Sequence, residues 1–266
     1  MSSGNPRGIA RWRWWIHLSL IGAYPLLIAV RGSGRSGQGA ALSDNTRGLL
    51  LVSGVELGVF GLVFLLGWLA SRASREELLL RWRPRLWVVP LGLGYSVALR
   101  MAIGVAFLVV ILVLMLTGVA SQDSLEQFVL TNRPDVETVV DISTMRRDPL
   151  YFWLTVTLVS FIVAGLREEL WRSGMLAALR ALWPGAFGSR RGQIAAVALI
   201  AIVFGVGHWP MGIIAVFMTG LLGFMLGLIM VFHRSIWPAV IAHGAFDATT
   251  MALLPRLTEM MQQMKP

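Results

Sequence analysis

Seven apolar segments, each near the length a bilayer demands, dominate the chain: Trp14 to Val30, Gly48 to Ala70, Leu86 to Val119, Leu150 to about Leu182, Gln193 to His208, Met211 to Phe232 and Ser235 to Leu254. A hydrocarbon core about 30 Å thick takes about 20 apolar residues in a helix, and in lipid a helix satisfies its backbone hydrogen bonds within one segment. The expectation is an all-α, polytopic membrane helix bundle with about seven transmembrane helices, a single integral membrane domain over residues 1–266. Hydrophobic residues make up 56% of the chain and charged ones 14%, and the mean hydropathy is +0.70, values foreign to an ordinary soluble domain. The third and fourth segments exceed one perpendicular span, so each is tilted, broken or extended beyond the membrane. Pro90 and Arg100 leave open whether the third is one helix or two.

The net charge of +9 does not point to nucleic acid, because the basic residues fall in short clusters between apolar runs rather than on one patch. Their distribution reads as topology. With the N-terminus in the cytoplasm, the inner segments carry Arg7, Arg11, Arg13, Arg72, Arg75, Arg81, Arg83, Arg85, Arg180, Arg190, Arg191 and Arg234 against Glu76 and Glu77 alone. Positive residues accumulate on the cytoplasmic side, so the orientation expected is N-in and C-out. Residues 120–148 then form an outer polar loop of acidic balance, in which "SLEQFVL" reads at most as an interfacial helix. The run from Ile16 to Val30 reads as a retained first span rather than a signal peptide, since Arg31 stands where a small residue is needed for cleavage. The absence of cysteine excludes disulfides, thiolate metal sites and cysteine nucleophiles. Several of the eleven tryptophans lie near the ends of apolar runs, where they serve as interfacial anchors.

"GSGRSGQG", Gly32 to Gly39, reads as a flexible linker by composition. Its Gly-Arg-Ser-Gly resembles the Gly-x-Ser-Gly nucleophile motif of rhomboid proteases, but the serine has no helix to hold it and no evident histidine partner. Gly54 with Gly58, and Gly223 with Gly227, are small residues four apart that permit close helix approach.

A charge at mid-membrane costs about 2.5 to 3.5 kcal/mol on insertion scales, so such residues face the bundle interior and act there. The fourth segment carries Arg167, Glu168, Glu169 and Arg172; the glutamates stand four and three residues before Arg172, within helical pairing distance of one guanidinium. "FGVGHWP" sets Phe204 and His208 on one face of the fifth segment, and "HGAFD" sets His243 and Asp247 on one face of the seventh. At about 1.5 Å per residue the ionisable groups fall roughly 12 to 23 Å from the cytoplasmic ends, which lets them meet in one buried cavity. His17, Glu56 and Arg100 have no motif around them and read as structural, with Glu56 pairing Arg100 across helices.

These three clusters resemble the signatures of the CAAX protease and bacteriocin-processing family, also called the Abi family of glutamic-type intramembrane proteases: Glu-Glu-x-x-x-Arg, then Phe-x-x-x-His, then His-x-x-x-Asn or Asp on successive core helices. Glu168-Glu169-Leu170-Trp171-Arg172, Phe204 to His208 and His243 to Asp247 occupy these places. The first motif is one residue short between Glu169 and Arg172, which leaves the catalytic glutamate open between Glu168 and Glu169; matching Gly174 to the family's glycine favours Glu168. The resemblance covers residues 150–250, the motif-bearing catalytic core, and the first three segments carry no signature.

What the resemblance implies is hydrolysis of a peptide bond in a membrane-anchored protein or peptide substrate, at or within the bilayer of a bacterial plasma membrane. A glutamate among apolar walls acts as general base toward water, His208 and His243 supply donors to the oxyanion, and Arg172 orients the glutamates. Asp247, standing where many relatives have Asn, holds His243 in one tautomer. This mechanism requires no cofactor. A divalent metal held by Glu168, His208, His243 and Asp247 is a second mechanism, although the chain has no His-Glu-x-x-His helix. The competing function is a noncatalytic membrane protein, a proton-coupled transporter or an immunity factor, using the same residues as a proton relay; no inverted repeat is visible to support transport.

Overall fold

A computed structural model describes residues 10–33 and 41–263, and it is all-helical, with no strand among the described residues. In chain order the main helices are α1 (Arg11–Ser33), α2 (Thr46–Ser71), α3 (Val88–Leu116), α4 (Gln122–Asn132), α5 (Ile142–Arg147), α6 (Pro149–Leu182), α7 (Arg190–Val206), α8 (Ile213–His233) and α9 (Trp237–Gln263). Four of them are long and apolar enough to cross a membrane: α2, α3 with its leading turn from Arg85, α6 and α8. The protein is an integral membrane protein. The Gly-Arg-Ser-Gly sequence at 34–37 lies outside the described residues.

The third apolar segment forms a single helix. Pro90 sits in its first turn, where a missing N–H costs nothing. The fourth is continuous from Pro149 to Leu182 but is wound as a π-helix over Thr155–Leu166, immediately before the charged cluster. Asp148 starts it by accepting hydrogen bonds from the Leu150 and Tyr151 N–H groups. The fifth helix ends at Val206, two residues short of expectation, because the chain turns through Gly207 into a 3-10 turn at Trp209–Met211. The seventh begins at Trp237 and runs past Leu254 to Gln263, carrying Pro255 within it.

Helix α6 is the axis of the bundle. Its π stretch packs along α9, its second half along α1 and α7, while α1 pairs with α2, α7 with α8 and α3 with α9. His17 joins three helices from a fully buried position, with Nδ1 2.9 Å from the Gly67 carbonyl on α2 and Nε2 3.2 Å from that of Gly174 on α6. The α2–α3 connection is tied to the α8–α9 turn: Ile236 N–H donates to Leu79 O, Ser235 Oγ to Arg81 O and Trp237 Nε1 to Leu80 O. Outward residues of α3 such as Val97, Met101 and Val105 are exposed, the surface a helix offers to lipid.

The glycine pairs divide. Gly223 lies against Phe204 and Arg172, and Gly227 against Val197, so α8 uses its small residues to approach α6 and α7. Gly54 and Gly58 face open space, so the helix contact expected of them is not made in the monomer.

Candidate active site

The π stretch of α6 delivers Arg167, Glu168 and Glu169 to the centre of the bundle, at the start of regular α-helix. Gly165 and Gly244 let α6 and α9 nearly touch: a Cβ on Gly165 would lie 3.1 Å from the Val240 carbonyl, and one on Gly244 would collide with Phe161. That approach sets His243 directly beside the glutamates.

Glu169 is fully buried, and both of its polar contacts fall on one oxygen. Its Oε1 accepts from Arg172 Nη1, three residues on, and lies 3.0 Å from His243 Nδ1. Glu168 keeps 16% of its side chain exposed and stands among three bases: Oε1 is 3.3 Å from Arg167 Nη2, and Oε2 is 3.7 Å from Arg172 Nη2 and 3.8 Å from His243 Nε2. Asp247 completes the chain, with Oδ2 3.5 Å from His243 Nε2. Thus the structure brings Glu168, Glu169, Arg172, His243 and Asp247 into one contiguous polar cluster between α6 and α9.

His208 stands at the edge of this cluster. Its Nδ1 lies 2.9 Å from the carbonyl of Phe204 and it contacts no carboxylate directly, although it is close enough to Glu168 and Asp247 to interact electrostatically. The Phe204 ring supports both motifs, 4.1 Å from the Arg172 guanidinium carbon and 4.6 Å from the His208 ring centre. A cation over an aromatic face in a dry setting is attracted by about 2 kcal/mol, which compensates part of burying Arg172. Arg172 Nε and Nη2 and Glu169 Oε2 are buried without hydrogen-bond partners, so polar capacity is concentrated here in an otherwise apolar interior.

One expectation about lone charges is corrected. Glu56 pairs with Arg167 at 2.9 Å and not with Arg100. Arg100 sits on α3, which packs along α9, so its guanidinium donates to the Phe246 carbonyl and Ser96 Oγ and stacks 4.4 Å over the Phe246 ring. Sequence reasoning missed the Glu56–Arg167 contact because the partners are 111 residues apart and no periodic signal links them.

Residues 149–249 match the family model for Rce1-like proteins, type II CAAX prenyl endopeptidases. Over this segment the chain is similar to Rce1-like proteins. No curated protein and no solved structure gives a significant match. The Rce1-like core holds every residue of the cluster from Arg167 to Asp247 and points to a CAAX-protease-type hydrolase. Among the described residues no three His, Asp or Glu side chains are arranged to share one metal ion: His243 Nδ1 is engaged by Glu169 and His208 Nδ1 by a backbone carbonyl.

Proposed function

We propose that the protein is an intramembrane endopeptidase in which Glu168 activates water. The observation that carries this reading is the asymmetry of the paired glutamates. Glu169 is buried and doubly bonded to Arg172 and His243, whereas Glu168 is partly accessible, lies among cationic partners, and has no short hydrogen bond occupying Oε2. A general base must reach a water, and Glu168 alone of the two is placed to do so.

In the proposed reaction, Glu168 takes a proton from water as its oxygen attacks the scissile carbonyl. The tetrahedral oxyanion accepts hydrogen bonds from His208 and from Nε2–H of an imidazolium His243, whose Nδ1–H donates to Glu169. Glu168 then passes its proton to the departing amine. Asp247, with Oδ2 3.5 Å from the same Nε2, keeps that edge of the His243 ring turned toward the reacting carbonyl, and Arg172 fixes both carboxylates. Each oxyanion donor contributes about 10²- to 10³-fold in rate.

The substrate proposed is a membrane-associated protein or peptide, presented from the bilayer. Seven spans with a cytoplasmic N-terminus, in a bacterial plasma membrane, complete the proposal; α1, α7 and α9 add to the four long apolar helices. Terminal-peptide mass spectrometry on native membranes tests the activity, comparing wild type with Glu168→Gln, Glu169→Gln and His208→Ala at matched expression. New protein termini lost in Glu168→Gln and reduced about 100-fold in His208→Ala are expected. Unchanged termini in every variant, despite a clear phenotype, move the assignment to a noncatalytic proton relay.

A further inference from the structure

Glu56 lies in the middle of α2, outside the Rce1-like segment, yet it is linked to the proposed base through one side chain. Arg167 spans the gap: Nη1 lies 2.9 Å from Glu56 Oε2, and Nη2 lies 3.3 Å from Glu168 Oε1. Glu56, Arg167 and Glu168 each keep only 16 to 17% of their side chains exposed. Tyr24 on α1 lies close enough to Arg167 and Glu56 to interact electrostatically, its ring packed 4.9 Å from that of Phe60. A guanidinium offers a planar fork of donors, so fixing one edge on Glu56 fixes the direction in which the other edge points.

We propose that Glu56 is a positioning residue for the catalytic glutamate, acting through Arg167 to hold Glu168 Oε1 so that Oε2 is presented to water. This rests on the assignment of Glu168 as the base. It gives α1 and α2 a function beyond membrane anchoring, since the orienting half of the site comes from outside the matched core. It also accounts for the cost of a glutamate at mid-helix, where an isolated charge is expelled. Arg167 is shared by two carboxylates, Glu56 and Glu168, and Glu168 in turn is shared by Arg167, Arg172 and His243, so that no one of the three bases alone holds it.

The test is a double-mutant cycle in lipid-reconstituted protein and native membranes, using Glu56→Gln, Arg167→Gln and the double variant. Glu56→Gln retains the shape and one hydrogen bond to Arg167, so it is the variant expected to fold; thermal unfolding of each variant reports any loss of structure separately. Two signals are followed: the rate at which Glu168-dependent protein termini appear, and the infrared carboxylate band identified as the difference between wild type and Glu168→Gln. Glu56→Gln is expected to slow product formation about tenfold, within the range of couplings in one charged network, and to shift the Glu168 band without shifting the unfolding midpoint. The double variant is expected to match Arg167→Gln alone in both signals, because Glu56 acts only through Arg167. A Glu168 band unmoved by Glu56→Gln, or a double variant whose loss is the product of the two single losses, overturns the proposal. Absence of any Glu168-dependent terminus overturns the protease reading instead, and the infrared arm still decides whether Glu56 positions Glu168.

Discussion

At the scale of single residues, the division of labour between adjacent glutamates follows from helical geometry. Glu169 points along the α6–α9 contact, where Arg172 and His243 both engage its Oε1, and Glu168, one position earlier, points toward Arg167 and the accessible edge. Arg172→Met is expected to destabilise the fold by about 3 kcal/mol or more, since it leaves Glu169 buried with its principal cation removed; a shift in the thermal unfolding midpoint of detergent-solubilised protein measures this. His17→Ala is expected to cost about 2 kcal/mol by unpairing carbonyls on two helices, with the residual folded enzyme retaining its turnover. A His17 variant that is fully stable but inactive would place that histidine in the chemistry instead.

At the scale of elements, the π stretch and the glycines on both sides of it bring the two motif-bearing helices into register. Gly165→Val puts atoms against the Val240 carbonyl and the Gly244 N–H, so α6 and α9 are forced apart. The expected outcome is about 1 to 3 kcal/mol of lost stability together with loss of product, from a position that touches no reacting group. The outer connection is held in a different way. Hydrogen bonds from Ser143 and Thr144 hold the Asp141 carboxyl below its ordinary 3.8, and that of Asp148 is lowered by Thr46 and by the first turn of α6. Because both values are depressed on folding, their stabilisation is present above about pH 4 and is lost as pH falls through the lowered values. The protection of amides across Ile142–Tyr151, relative to their intrinsic exchange rates, should therefore fall below pH 4, and in Asp148→Asn it should already be low at neutral pH; protection that does not change with pH would show that these caps do not hold the loop.

At the scale of the whole molecule, the helical class and the helices carrying the Glu168–Arg172 and His243–Asp247 pairs were legible in the sequence, because apolar length and spacing of four residues are local signals; the unbroken course of α6 was not, because its length alone leaves tilt, break and extension open. The pairing of Glu56 with Arg167 and the placement of Arg100 on Phe246 were not, because they depend on which helices become neighbours. The stop of α7 at Val206 was hidden for the opposite reason: an apolar run continues through Gly207 and His208 while the backbone turns. The chain has no cysteine, so single cysteines at Ser124 and Arg75 report orientation cleanly. In intact cells an impermeant maleimide should label Ser124→Cys and spare Arg75→Cys, and the reverse pattern would invert the proposed topology. The central claim, direct attack by water activated at Glu168, is tested by single turnover of the purified, reconstituted protein in ¹⁸O-water on a peptide carrying the cleavage site found in native membranes. The account predicts one ¹⁸O in the new carboxyl terminus with wild type, no covalent adduct, and no product with Glu168→Gln; undiminished product from Glu168→Gln would contradict it.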